Sequence, residues 1–78
     1  MLTSMDKHLK KLKEQFSRNV RARRAYLGIS QEMLGERAGL ERTYISQIER
    51  NNANPTFDAL FNLARALDTS ISELLSEK

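Results

Sequence analysis

The chain contains no cysteine. Disulfide bridges and thiolate metal sites are therefore excluded, and with no disulfide to preserve a reducing cytoplasm is the default compartment. No apolar run approaches the roughly 20 residues that a membrane span requires. The opening MLTSMDKHLK lacks the apolar centre of a secretory signal. Proline occurs once, at Pro55, and glycine only at Gly28, Gly35 and Gly39, so breakers are few and each marks a boundary or a close approach. No stretch sustains period-two alternation, which excludes strands, and no internal repeat or low-complexity tract is present. The single histidine, His8, reads as an exposed helix residue with no partner for catalysis or metal binding. Asp58, Asp68, Glu73 and Glu77 read as charges near helix ends, not as an acid/base pair. With no nucleophile motif and no glycine-rich phosphate loop either, no enzyme activity, metal or cofactor is expected.

What is present is short and unevenly charged. Seventy-eight residues make one domain at most, and 40% hydrophobic content points to a folded globule. Net charge is +3 and the isoelectric point about 9.6. In residues 1–27 eight basic groups (Lys7, Lys10, Lys11, Lys13, Arg18, Arg21, Arg23, Arg24) face the two acids Asp6 and Glu14. Residues 28–55 hold three basic and four acidic groups, and residues 56–78 two and four. A basic half and a mildly acidic half fit a polyanion on one side and a different contact on the other. Part of that basic run suits the negative end of the first helix dipole, and part is a solvated face; a membrane-surface role is not favoured, because its apolar stripe has a core to join.

The apolar period is helical throughout. Leu9, Leu12, Phe16, Val20 and Leu27 form one stripe of a first helix over about Asp6 to Leu27, which Gly28 ends. Ser30 caps a second helix, about Gln31 to Ala38, with Met33 on its core side, and Gly39 ends it. A third spans about Arg42 to Arg50. NNANP is a loop, after which Thr56 caps a fourth helix, about Phe57 to Leu67, with a stripe of Phe57, Leu60, Leu63 or Ala64, and Leu67. SISE, from Ser70 to Glu73, is a capping box that opens a fifth helix ending near Ser76. The expectation is an all-α, compact five-helix domain with one core.

The second and third helices are joined by the short, glycine-containing GLE, which forces a sharp crossing and is the helix-turn-helix pattern. Gly35 costs helix propensity of roughly 1 kcal/mol against alanine, and close approach of the third helix is the reason for accepting it. Leu40, Ile45 and Ile48 lock that helix inward. Arg42, Thr43, Gln47 and Arg50 are left outward, with Tyr44 and Ser46 at the margins. Such a face fits a major groove: arginine holds guanine O6 and N7, glutamine adenine N6 and N7, and a threonine methyl meets a thymine methyl. Gln31, in the first turn of the second helix, stands where an amide and a helix N-terminus bind phosphate.

SQEMLGERAGLERTYISQIERNNANPTFDALFNLARALDTSISELL resembles the Cro/CI-type (XRE) helix-turn-helix family of lambda-repressor-like transcriptional regulators. The resemblance covers about Asn19 to Leu75, and RTYISQIER is similar to the controller proteins of restriction–modification systems. It implies a prokaryotic or phage protein that binds double-stranded DNA. Arg42, Thr43 and Gln47 would read base edges, while Gln31, Tyr44, Ser46, Arg50 and Asn52 would lie on the DNA backbone, with Asn51 beside them. Arg24 and Glu49 would form a structural ion pair tying the first helix to the end of the third. Two positions depart from the pattern. Position 35 is more often alanine, and glycine there would loosen the second helix; position 41 is often a good N-cap, and Glu41 is a poorer one. Residues 1–17 form an N-terminal extension outside the resemblance, and 18–78 the DNA-binding domain.

A single unit reads few base pairs, so a homodimer on a palindromic operator is expected. The crowded apolar residues of the fourth and fifth helices place its contact on Phe61, Ile71, Leu74 and Leu75, away from the basic first helix. No ligand domain is present, so no small-molecule control is expected, nor any membrane partner. Two other functions share this fold: the antitoxin of a toxin–antitoxin pair, and a protein-interaction module that no longer binds DNA.

Overall fold

The computed structural model describes residues 4–77, so the first three residues of the N-terminal extension and Lys78 lie outside the described residues. Regular structure among them is all helical: α1 (Ser4–Leu27), α2 (Gln31–Ala38), α3 (Arg42–Glu49), α4 (Phe57–Ala66) and α5 (Ile71–Leu74). The 24 residues of α1 span about 36 Å at 1.5 Å per residue, close to the 39 Å long axis of the molecule.

Local chemistry sets the helix ends. Ser30, Thr56 and Ser70 are extended, and their hydroxyls accept from the backbone N–H of Met33, Ala59 and Glu73 at 3.0–3.1 Å. At the far ends of α1, α3 and α4 the same device recurs. Gly28, Asn51 and Asp68 adopt φ of 68°, 60° and 57°. The amide of each next residue reaches back to Arg24, Gln47 and Ala64 respectively, at 2.8–3.3 Å. This six-to-one closure needs a left-handed residue, which glycine takes freely and Asn and Asp tolerate. Helix α3 begins after Glu41, whose side chain makes no capping bond, as a poor cap would have it.

The core is Phe16, Val20, Leu34, Ala38, Ile45, Ile48, Leu63, Ala64, Ala66, Leu67 and Leu74. Helix α2 packs on α3 and α4, while α1 runs along α3 and α5. Gly35 sits at the tightest approach. A Cβ there would lie 2.5 Å from the backbone oxygen of Leu40. Glycine there lets the turn fold back against α2, and the Leu40 amide bonds the Gly35 carbonyl at 2.8 Å.

Several placements differ from the sequence reading. Met33 is exposed and lies against Arg37, because the buried side of the short α2 is filled by Leu34, Gly35 and Ala38. Phe57 is 81% exposed, since the inward side of α4 is carried by Ala59, Leu63, Ala64, Ala66 and Leu67. Leu9 and Leu12 are exposed because α1 overhangs the core by its first turns. Leu74, expected at a dimer contact, is 2% exposed and belongs to the core, where α5 is braced against α1. The fifth helix is a single turn ending at Leu74, not near Ser76.

Candidate nucleic-acid interface

On α3 the apolar spacing decides which side faces out. Ile45 and Ile48 are buried, which turns Arg42, Thr43, Gln47 and Arg50 to solvent and leaves Tyr44 and Ser46 half-buried at the edges. No described residue offers a hydrogen bond to the side chains of Arg42, Thr43 or Gln47. Arg50 makes one long bond, Nε to the Ser46 carbonyl at 3.4 Å. Donors and acceptors are thus presented unspent along one helix face. That is a poor arrangement for stabilising the fold and a good one for contacting another molecule.

An open trough lined by Arg24, Ser30, Gln31, Glu32 and Arg42 joins the N-termini of α2 and α3. A second depression at Arg42, Thr43 and Ser46 continues it along α3. The first-turn amides of α3 receive no bond from the side chain of Glu41. Uncapped amides and the positive end of a helix dipole attract anions. Glu32 is the one acid on this lining.

Behind the face lies a charged hub. Glu49 is 3% exposed, and both its oxygens are used. Oε2 accepts from Arg24 Nε at 2.6 Å; Oε1 accepts from Arg24 Nη2 at 2.9 Å and from Gln31 Nε2 at 3.0 Å. The hydrogen bond to Glu49 raises the Arg24 pKa above its ordinary value, against the opposing effect of burial. Arg24 Nη1 also donates to the Ile29 carbonyl at 3.0 Å. One guanidinium thereby ties the end of α1, the α1–α2 turn and the end of α3 together.

The basic run of α1 divides in two. Arg21 donates to the Glu49 carbonyl, and Arg23 donates to the Leu67 and Asp68 carbonyls at 2.8 and 3.0 Å. With Arg24, these arginines satisfy carbonyls at the ends of α3 and α4 and in the α1–α2 turn. Arg23 also stacks on Tyr26, 4.9 Å from the ring centre. Two links of this hub were absent from the sequence reading. Arg21 lies three residues before Arg24 on one face of α1, a spacing that pointed to a shared target. The Gln31 bond to Glu49 had no such signal. It leaves one N–H of Gln31 and its amide oxygen for an outside contact.

Among the described residues no cluster of His, Asp and Glu is arranged to hold a metal ion, and no helix is long and apolar enough to cross a membrane.

A helix-turn-helix family model matches residues 20–74. The control protein C.SmaI of Serratia marcescens is 45% identical over 67 residues, covering 86% of this chain and 80% of that protein. Among solved structures, the restriction–modification controller protein C.AhdI of Aeromonas hydrophila superposes with a TM-score of 0.77 at 35% identity, covering 80% of this chain and 94% of that one. The P22 c2 repressor, solved in complex with a synthetic operator, superposes with a TM-score of 0.76 at 36% identity, covering 81% and 96%.

Proposed function

The chain belongs to the Cro/CI-type helix-turn-helix family of DNA-binding transcriptional regulators, and from that membership we propose that it binds a palindromic operator as a homodimer and serves a restriction–modification system as its controller. The observation that carries this is the exposed α3 face, where Arg42, Thr43 and Gln47 have no partner within the described chain. In the major groove Arg42 and Gln47 make bidentate bonds to purine edges, and Thr43 contacts a thymine methyl. Gln31, Tyr44, Ser46, Arg50 and Asn52 flank that face and hold phosphates, which fixes register without reading sequence. Arg24 and Glu49 do not read DNA; they hold α1 against the base of the reading helix.

The dimer forms through the α4–α5 end, where Phe61 is 60% exposed and Ile71 and Leu75 are half-buried. Leu74 supports this surface from beneath. The operator's half-sites then lie about 34 Å apart, or a multiple of that. The likeness to C.SmaI and C.AhdI supports the controller role, and the cytoplasm is its place of action. Selection of bound sequences from random DNA tests the reading. A two-fold symmetric consensus, found again by footprinting beside a restriction–modification promoter, is the expected result. Loss of all selective binding at low salt would leave the fold as a protein-interaction module instead.

A further inference from the structure

The family match begins at residue 20, yet α1 begins at Ser4. Four turns of helix therefore precede the matched domain. Their apolar residues, Met5, Leu9, Leu12 and Phe16, recur at spacings of 4, 3 and 4, the rhythm of a helix seam that packs on both sides. Phe16 is buried in this molecule. The other three stay exposed to solvent.

Leu9 and Leu12 do not stand alone. With Phe16 they line one side of an apolar groove whose other walls are Pro55, Phe57, Leu60 and Leu75. Phe61 lies one turn beyond Phe57 on α4, and Met5 one turn before Leu9 on α1. The exposed fractions are 79% for Met5, 52% for Leu9, 38% for Leu12, 81% for Phe57 and 60% for Phe61. At about 200 Å² per large apolar side chain, the five present about 600 Å². A soluble monomer rarely exposes more than a few hundred Å² in one patch. A specific interface buries about 800 Å² on each partner, and the two α4 phenylalanines alone supply less than half of that.

From the continuity of this surface with the α4–α5 contact, we infer that the overhanging first turns of α1 form part of the homodimer interface, so that a second copy of this chain covers Leu9 and Leu12. The inference rests on the homodimer reading above and extends it to a segment outside the family match. A two-fold axis through the groove sets α1 of each copy against α4 of the other. The rims are then complementary, because Lys13 edges the groove on the α1 side and the exposed Asp58 follows Phe57 on α4. The seam lies at the opposite end of α1 from Arg21 and Arg24, which hold α3, so covering it leaves the reading faces open.

Sedimentation equilibrium of the full chain and of Leu9→Glu and Phe61→Glu tests it, with thermal unfolding of each variant followed in parallel. Leu9→Glu is expected to raise the dimer dissociation constant fivefold or more; a smaller rise in a folded variant, with Phe61→Glu still abolishing the dimer, overturns the role of α1 and leaves the homodimer standing. A wild type that stays monomeric at high micromolar concentration and on its operator overturns the homodimer itself. Where Leu9→Glu fails to fold, nitroxide labels decide, because a chain without cysteine accepts a single one cleanly. In the dimer, labels on His8→Cys are expected closer together than labels on Arg50→Cys, whose separation the half-site spacing sets near 34 Å. A His8 pair farther apart than the Arg50 pair removes α1 from the interface.

Discussion

Replacing Glu49 with glutamine changes one oxygen of a buried carboxylate into an NH2 group and alters the volume hardly at all. Glu49 accepts three hydrogen bonds, two from the Arg24 guanidinium and one from Gln31. In either orientation the new NH2 sets donors against donors. On the Oε2 side it faces Arg24 Nε; on the Oε1 side it faces Arg24 Nη2 and Gln31. At least one charge-assisted bond is lost, a contribution of about 1.5–3 kcal/mol. The Arg24 side chain is 23% exposed, so water compensates part of the loss, and about 2 kcal/mol is expected. Glu49→Ala leaves the guanidinium with only its Ile29 carbonyl bond and reaches about 3 kcal/mol, the lower end of the cost of breaking a buried pair. At about 4–8 °C per kcal/mol for a domain of this size, Glu49→Gln lowers Tm by about 10 °C. Urea unfolding followed by circular dichroism at neutral pH measures it, and a cycle with Arg24→Met separates the pair from its surroundings. Because the Arg24 pKa is raised, this contribution of Arg24 is complete below the guanidinium's unfolded pKa and is lost only as pH rises through the folded one, so it does not fade between pH 6 and pH 9. A Glu49→Gln cost below about 0.5 kcal/mol, or a coupling energy near zero in the cycle, would refute the view that this charge joins α1 to α3.

Other outcomes are expected from the same structure. Arg42→Ala and Gln47→Ala each weaken binding to the preferred operator by about 1–3 kcal/mol and relax choice at particular base pairs, whereas Gln31→Ala weakens all sequences alike; binding titrations against single-base operator variants separate the two patterns. Operator affinity falls steeply between about 50 and 200 mM salt, since phosphate contacts release counterions, and a nearly flat titration would contradict the trough at the α2 and α3 N-termini as a phosphate site. Asp68→Gly relieves a left-handed residue and removes a negative charge from the end of α4, raising stability by about 0.5–1 kcal/mol in urea unfolding.

The helices and the outward face of α3 were legible because local rules fix them. Ser30, Thr56 and Ser70 announce starts, Gly28 and Gly39 announce stops, and Ile45 with Ile48 determines which way α3 turns. Legibility failed where the answer depends on what lies opposite. Phe57 keeps step with Leu60 and Ala64, yet nothing in its own helix reveals that α1 overhangs there without closing over it. Met33 fits an apolar stripe, but α2 is too short to bury more than Leu34, Gly35 and Ala38. Leu74 looked like surplus surface because a four-residue helix gives no period from which to judge its inward side. Arg21, Arg23 and Arg24 read as a charge patch, since the carbonyls they meet lie 5 to 45 residues away. Gly35 was read as a close approach, and the Leu40 oxygen bears that out.

The bonds that hold α1 have a consequence for how the protein is made. A ribosome releases α1 first, but part of what holds it comes last: Arg23 waits for Leu67 and Asp68, and Asn19 donates at 2.8 Å to the carbonyls of both Leu74 and Ser76. Until those residues emerge, the longest helix of the molecule is held by α3 but not by α5. Release of the C-terminal end is then the step that closes the domain. A nascent chain stalled before α5 holds α1 on one side only, and its exposed leucines are open to chaperones and to other unfinished copies.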